Sequence, residues 1–356
     1  MQTSRQPPTA PDLPDDGVAY RVTHATEYRY GAAVALSQQL LHLAPRVVPW
    51  QLCRAHRLAV GPQPALRLER QDAFGNPVTH LAFDSPHDRL TVLAETEIEV
   101  LPRFSPALLR LAGQPWEGWR AALAYRGAEP PPADQLAAAQ FAFASPYVHT
   151  GPAFAAYAAP SFTPGRGLLA AARDLMGRIY REFEFDPQAT TVATPAAEVL
   201  AKKRGVCQDF AHLMLACLRS LGLPARYVSG YLLTDPPPGT PRLIGADASH
   251  AWVSLYCPGL GWVDLDPTND LIPDTRHITL AWGRDFGDVS PMRGVILGGG
   301  AHEVEVAVTV LPLAESDASG AVAGTTPGDA PHDGPGKESR GRERRQVRSG
   351  EDDSRA

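Results

Sequence analysis

One segment, residues 207–270, restricts the possible folds most because it joins a helix to strand-like stretches. Its first part places apolar side chains at helical spacing, and Gly222 and Pro224 mark the end of that helix. The apolar residues are Phe210, Leu213, Met214, Cys217, Leu218 and Leu221. Three strand-like stretches follow, ARYVSGYLL, SHAWVSLYC and GWVDLD, with the turn PGLG between the last two. This order predicts an α+β fold in which the helix packs against an antiparallel sheet.

The first part of the chain has a different pattern, in which short alternating stretches are separated by turns. In YRVTHATEYRY, every second residue from Tyr20 to Tyr30 shares one face, and Gly61-Pro62 is one of the later turns. The pattern predicts an antiparallel β domain over residues 19–102, arranged as a sandwich. Residues 103–162 are rich in proline and then in alanine, which is typical of a linker with a short helix.

The remaining boundaries follow from helix signals and composition. Thr163 and Pro164 are expected to cap a helix that opens the second domain, residues 163–312. That domain is expected to end with HEVEVAVTVL, a half-buried strand. Residues 1–18 and 313–356 are polar and rich in proline or in glycine, proline and charge, so a disordered leader and a disordered tail are predicted.

Composition argues against several classes of protein. The chain has 356 residues and a net charge of -6, which disfavours non-specific binding to nucleic acid. No apolar run approaches the roughly 20 residues of a membrane span, and the N-terminus lacks the apolar stretch of a signal peptide. We therefore predict a cytoplasmic protein with no nucleic-acid or membrane partner. The four cysteines include no C-x-x-C pair, which disfavours a disulfide scaffold or a structural zinc site.

Three side chains of the segment could carry chemistry. Cys207 begins the helix, where unpaired N–H groups and the helix dipole favour a thiolate, although a lone cysteine is more often buried core. His250 stands near the start of the hairpin, on its more polar and aromatic face. Asp264 and Asp266 share one parity on the return strand, so one register brings both to that face. Asp266, next to Pro267, is expected to orient His250, and Asp264 is the alternative.

Four neighbouring residues are expected to have structural roles. Cys217 lies in the middle of the helical stripe, and Cys257 lies on the apolar face of the hairpin, so both are expected in the core. Asp209 and His212 lie off the stripe. They are expected to be either supporting groups behind the site or surface groups.

Two tryptophans and one acidic stretch are less decisive. Trp252 and Trp262 are expected to pack within the hairpin, although either could roof a cleft. The stretch DLDPTNDLIPDT has Asn269 and Thr275 where a calcium loop needs Gly and a bidentate Glu. No metal or organic cofactor is therefore expected.

The order Cys207, His250, Asp266, within GVCQDFAHL, SHAWV and GWVDLDPTN, resembles the transglutaminase-like superfamily of papain-type cysteine enzymes. The resemblance extends over residues 183–270, and the strand-rich start resembles the N-terminal region of the bacterial branch. It implies a papain-like transglutaminase core, with a helix-borne Cys against an antiparallel sheet, as the catalytic domain. It also implies that Cys207 is the nucleophile, His250 the base and Asp266 the orienting acid.

The resemblance implies acyl transfer from an amide of a protein or peptide substrate through a thioester. The amide is either a peptide bond or a glutamine side chain. Hydrolysis is favoured over transamidation because water is abundant, whereas crosslinking needs a dry site for the amine. Two alternatives stay open: a transglutaminase that forms isopeptide crosslinks, and a non-catalytic binding or scaffold protein on the same fold.

Overall fold

The computed structural model describes residues 17–105, 109, 113–123, 132–234 and 249–313. The predicted disordered leader and tail lie outside these residues, apart from residues 17, 18 and 313. None of the helices in these ranges combines the length and apolarity that a bilayer crossing requires.

The described elements alternate between a β-rich start, a helical middle and a strand-rich end. In chain order the strands are β1 (Val18–Leu41), β2 (Gln51–Gly61), β3 (Leu66–Gln71), β4 (Pro77–Phe83), β5 (His87–Val100), β6 (Glu184–Phe185), β7 (Arg204–Gly205), β8 (Ala225–Leu232), β9 (Ser249–Cys257), β10 (Gly261–Leu265), β11 (His277–Gly283), β12 (Met292–Gly298) and β13 (His302–Pro312). The helices are α1 (Trp116–Leu123), α2 (Ala133–Ala139), α3 (Pro152–Ala158), α4 (Leu168–Glu182), α5 (Ala196–Lys202), α6 (Cys207–Ser220) and α7 (Phe286–Val289).

The first sheet is built around β1, a strand of 24 residues that changes partners along its length. The sheet has seven strands in the order β2-β5-β1-β4-β3, and β12 and β13 also pair with β1. The first half of β1 pairs with β5 and β13, whereas the second half pairs with β4 and β12, and its register with β5 shifts between Arg29 and Val34. The predicted antiparallel β domain is therefore present, but as one sheet rather than a sandwich of two.

The last two strands lie in this first sheet, whereas sequence analysis grouped them with residues 163–312. Alternation in HEVEVAVTVL correctly indicates a strand, but alternation does not identify the strand that will pair with it. β13 pairs with β1 from Tyr20↔Pro312 to Tyr30↔His302. Only the second half of β13 is buried: Val308 and Val310 are in the core, and Val306 is 55% exposed.

The second unit consists of a four-stranded antiparallel sheet, in the order β10-β9-β8-β11, packed against α6. Helices α3, α4 and α5 contact the other sides of α6. Every residue of α6 from Asp209 to Arg219 is therefore buried, including residues off the predicted apolar stripe. A helix-borne Cys facing an antiparallel sheet is the predicted α+β, papain-like arrangement.

The segment before α6 is more ordered than a linker. Phe154, Ala158 and Phe162 are buried in the same core as α4 and α6, so part of residues 103–162 belongs to the second unit. Helix α4 begins at Leu168 rather than at the predicted Thr163–Pro164. Residues 163–167 form a turn, in which the N–H of Arg166 donates to the Thr163 carbonyl oxygen at 3.1 Å.

The two sheets contact each other through a common apolar cluster. Its buried residues are Tyr20, Val22, Ile98, Val100, Val308 and Val310 from the first sheet and Tyr231, Ile278 and Leu280 from the second. His24 of β1 lies at the edge of this cluster and is 2% exposed. Its Nδ1 atom is 2.9 Å from the hydroxyl of Tyr231.

Two buried histidines make the stability of this fold depend on pH. Burial lowers the pKa of both His24 and His212 from 6.5 to about 4. The unfolded chain therefore binds more protons than the folded chain between these values. We expect the free energy of unfolding to fall as pH drops from about 6.5 to 4, by up to about 3 kcal/mol per histidine.

Urea denaturation across this pH range measures the effect. His24→Asn and His212→Gln each keep a polar atom near the hydrogen-bonding position of the histidine nitrogen and cannot titrate. The double variant should show a flatter dependence on pH than the wild-type protein. An unchanged slope would mean that other groups cause the acid loss of stability.

Candidate active site

Cys207 is the first residue of α6 because the residue before it has an extended backbone and acts as the N-cap of the helix. Val206 has φ −117° and ψ 179°, and its N–H donates to Asp209 Oδ2 at 2.8 Å. The hydroxyl of Thr190 donates to the same oxygen at 2.6 Å. Asp209 is 2% exposed, so it is a supporting group at the helix start and not a surface group. Cys207 itself is half-buried, at the positive end of the helix dipole.

His250 is the second residue of β9 and lies between Cys207 and Asp266. Its Nε2 atom is 2.7 Å from Asp266 Oδ2. Because an ionised carboxylate can only accept, Nε2 is the protonated donor of this bond. Cys207 is close enough to the ring to contribute to the raised pKa of His250. Since Nε2 is already paired with Asp266, Nδ1 is the ring nitrogen available to the thiol. The structure thus brings the three predicted site residues together.

Asp266 follows directly after β10 and is fully buried. Its Oδ2 atom accepts hydrogen bonds from His250 Nε2, from Asn269 Nδ2 at 2.8 Å and from His277 Nε2 at 3.1 Å. Its Oδ1 atom accepts from the N–H of Thr268 at 2.9 Å. Four donors around one buried carboxylate compensate for the lost hydration of its charge.

These contacts set the charges of the site. Burial alone would lower the pKa of His250, but its hydrogen bonds to Asp266 and Cys207 raise that pKa above its usual range. Burial would also raise the pKa of Asp266, but hydrogen bonds from His250 and His277 hold it below its usual range. The arrangement therefore favours the imidazolium form of His250.

Asp264, the alternative partner for His250, contacts other side chains instead. Its Oδ2 atom accepts a hydrogen bond from Trp252 Nε1 at 3.0 Å and pairs with the guanidinium of Arg103. Burial opposes its charge, but Arg103 and Arg226 keep the pKa of Asp264 below its usual range. The two aspartates have the expected common parity, but only Asp266 hydrogen-bonds His250.

Trp252 packs against two histidines of the candidate site as well as within its hairpin. It is fully buried, and its ring lies 6.1 Å from that of His250 at an interplanar angle of 30°. Its ring also meets His277 edge to face at 5.3 Å. Gly230 of β8, which pairs with His250, leaves room for the Trp252 ring. A Cβ at this position would lie 2.6 Å from that ring and 2.0 Å from the Ile278 carbonyl oxygen.

Trp262 packs in the hairpin as predicted. Its ring lies 5.4 Å from those of Phe141 and Tyr256. His212, which could have been a surface group, is 3% exposed and accepts a hydrogen bond from the N–H of Phe286 at 3.2 Å. Because α6 is covered on all sides, being off the apolar stripe does not expose this side chain.

The other cysteines differ from Cys207 in their surroundings. Cys217 and Cys257 are in the core, as predicted, and burial raises the pKa of each to about 12. Cys53 is half-buried in β2, and burial raises its pKa as well. Cys207, in contrast, lies near enough to His250 to help raise the pKa of that histidine.

Sequence analysis did not identify His277 and Asn269 as part of the site. A buried carboxylate needs several donors, so further donors to Asp266 could have been anticipated, but not their identity. His277 begins the stretch HITLAW just as His250 begins HAWVSLYC, and this parallel was the available signal. His250, Asp266 and His277 also place three potential metal ligand atoms within 4.8 Å of one another. The mutual hydrogen bonds described above account for this cluster without an ion.

Two family models match the chain. Residues 20–99 match the bacterial transglutaminase-like N-terminal region, and residues 156–267 match the transglutaminase-like superfamily. An uncharacterized protein of Mycobacterium bovis is 43% identical over 307 residues, which cover 84% of this chain and 94% of that protein. An uncharacterized protein of Mycobacterium leprae is 32% identical over 298 residues, covering 83% of this chain and 99% of its own length.

Two further matches concern proteins with functional names. The protein-glutamine gamma-glutamyltransferase of Pseudomonas aeruginosa is 32% identical over 108 residues, or 28% of this chain and 16% of that enzyme. A solved structure of a candidate cysteine protease from Cytophaga hutchinsonii has a TM-score of 0.63 and 18% identity, covering 84% of this chain and 92% of its own. That likeness supports the fold. The two family models, with the Mycobacterium relatives that cover most of the chain, show that the chain belongs to the transglutaminase-like superfamily.

Proposed function

We propose that this protein is a cysteine-dependent acyl-transfer enzyme that acts on an amide of a protein or peptide through a thioester. The observation that carries the proposal is the grouping of three side chains: Cys207 at the start of α6, His250, whose pKa Cys207 helps to raise, and Asp266, which hydrogen-bonds His250. A nucleophile, a base in contact with it and an acid that orients the base are the groups that this chemistry needs. The superfamily membership supports the same kind of reaction.

In the acylation step, the Cys207 thiolate attacks the carbonyl carbon of the amide. The carbonyl oxygen gains negative charge, and N–H groups of the first turn of α6 are placed to stabilise it. The imidazolium of His250 then gives its Nδ1 proton to the departing nitrogen as the C–N bond breaks. An amine leaves, and a thioester to Cys207 and a neutral His250 remain.

In the deacylation step, His250 takes a proton from the acyl acceptor, which attacks the thioester. Water as acceptor gives a carboxylic acid, and an amine gives a new amide; both routes restore the thiolate and imidazolium. We propose hydrolysis as the main route, because water is abundant and an amine would need a site that keeps water out. The substrate amide is a peptide bond or a glutamine side chain.

Transamidation is the second candidate, because the P. aeruginosa relative named a glutamyltransferase matches over 108 residues.

Mass spectrometry of casein that has been incubated with the full chain and a fluorescent primary amine distinguishes hydrolysis from transamidation. Hydrolysis gives new chain ends or glutamates and no labelled casein, whereas transamidation gives labelled glutamines. Cys207→Ala is the matched control, because it removes the nucleophile and little else. Product formation that survives in Cys207→Ala would contradict the proposal.

Thiol reactivity separates an enzyme from a scaffold protein of the same fold. We expect iodoacetamide at neutral pH to modify Cys207 much faster than the other three cysteines. The physical reason is the contact of Cys207 with His250, whereas burial raises the pKa of Cys53, Cys217 and Cys257. Peptide mapping after short exposures gives the four rates. Equal labelling of Cys53 and Cys207 would favour the scaffold alternative.

A further inference from the structure

His277 is a buried histidine that the reaction as described above does not use. It is the first residue of β11, and its side chain is 2% exposed. β8 lies between β11 and β9, so His277 and His250 flank the same strand at the same end of the sheet. Their ring centroids are 6.0 Å apart. Both rings direct Nε2 to a single atom, Asp266 Oδ2.

The two nitrogens of His277 are in different situations. Nε2 lies 3.1 Å from Asp266 Oδ2, and because this oxygen only accepts, Nε2 must carry the proton. Nδ1 lies 3.7 Å from Asp274 Oδ1, which is beyond hydrogen-bonding distance. Among the described residues, Nδ1 has no hydrogen-bond partner. Asp274 is therefore an electrostatic neighbour of His277, whereas the contact of Nε2 with Asp266 is a side-chain hydrogen bond by distance.

We propose that His277 is a positioning residue for the reaction: its hydrogen bond to Asp266 Oδ2 fixes the carboxylate, and thereby the ring of His250 with Nδ1 towards Cys207. The inference deepens the proposed function and rests on it. Asn269 and Thr268 also bind this carboxylate, but both lie within three residues of Asp266 and move with its own loop. His277 supplies the donor to Oδ2 that comes from a separate strand, β11, on the opposite side of β8 from His250.

The amide side chains provide a matched pair of variants. In place of histidine, the amide nitrogen of Gln can reach the position of Nε2, whereas that of the shorter Asn reaches only the position of Nδ1. His277→Gln therefore keeps the donor to Asp266, and His277→Asn removes it while keeping a polar side chain of similar character. Because glutamine is neutral, His277→Gln tests the hydrogen bond to Asp266 without any charge on the side chain.

The first measurement is the alkylation rate of Cys207 by iodoacetamide in the full chain. We expect His277→Asn to slow it about ten- to a hundredfold, as for the loss of a charge-assisted hydrogen bond. His277→Gln should stay within about threefold of the wild-type rate. Urea denaturation of both variants verifies that they fold. Equal rates for the two folded variants, whether fast or slow, would overturn the proposal.

The second measurement does not depend on the reactivity of Cys207, so it separates the failure of this inference from the failure of the proposed function. In protein labelled with ¹⁵N-histidine, NMR should show His277 protonated at Nε2 and a downfield Nε2–H signal for His250. The His250 signal should move or broaden in His277→Asn and persist in His277→Gln. A His250 signal unchanged in His277→Asn would contradict the positioning role, even if Cys207 proved unreactive in the wild-type protein.

Discussion

Replacing Asp266 by asparagine should slow the reaction of Cys207 by a factor on the order of 10⁴ while the chain still folds. The carboxylate of Asp266 accepts the Nε2 proton of His250, which leaves Nδ1 for the thiol. An amide in its place can present an N–H to Nε2 and thereby favour the opposite tautomer. The charge that raises the pKa of His250 also disappears. Steady-state turnover and the iodoacetamide rate of Cys207 both measure the loss.

Asp264→Asn is the matched control for this change. Asp264 is two residues away and equally buried, but it hydrogen-bonds Trp252 and not His250. Per folded molecule, its effect on the Cys207 rate should be far smaller than that of Asp266→Asn. Should Asp264→Asn prove the more damaging of the two in folded protein, the third member of the site would have been assigned to the wrong aspartate.

The largest loss of stability is expected for the same control, Asp264→Asn. Arg103 pairs with Asp264, and Arg226 lies close enough to lower its pKa. The side chain of Arg103 is 9% exposed, and Arg226 is 4% exposed. Within the described residues, removing the carboxylate leaves these two buried cations without an anion in a salt bridge. We expect the free energy of unfolding to fall by about 3–5 kcal/mol, measured by urea denaturation.

Glu97→Gln provides the comparison for an exposed pair. Glu97 pairs with Arg21 at 2.9 Å, and their side chains are 41% and 50% exposed. Solvent screens such a pair, so this variant should change the free energy of unfolding by less than about 1 kcal/mol. If Asp264→Asn and Glu97→Gln lowered the free energy of unfolding by comparable amounts, the burial of Arg103 and Arg226 would not be the reason that the protein needs Asp264.

Local pattern was sufficient for the parts of the site that lie close in sequence. The apolar spacing after Cys207 placed that residue at a helix start, and the turn PGLG placed His250 and Asp266 on one hairpin. His277 was missed because its contact with Asp266 depends on β11 pairing with β8, a long-range choice that no periodicity encodes. For Asp209 the sequence left two alternatives, a supporting group or a surface group, and the structure shows the first: its carboxylate caps the helix it belongs to.

The fold was predictable to a similar extent. Strand-like alternation identified the β-rich start and HEVEVAVTVL as strands. The single sheet could not be predicted, because β1 is long enough to serve two sets of partners and changes between them near Val34. The helix start predicted at Thr163–Pro164 was wrong, because a sequence that can cap a helix forms a turn here. Helix α4 begins at Leu168, five residues after Thr163.

The pairing of β1 with the last two strands also constrains how the chain can fold during synthesis. β1 is synthesised before its partners β12 and β13, which follow only after the whole second unit, including Cys207 and His250, has been made. Contacts between such distant segments form slowly, because a long loop must close before they are gained. Even when β4 and β5 have paired with β1, its other edge stays open until then, and an open strand edge is a site for association with other chains. The nascent protein can therefore assemble its thiol site before it has protected its first strand from aggregation.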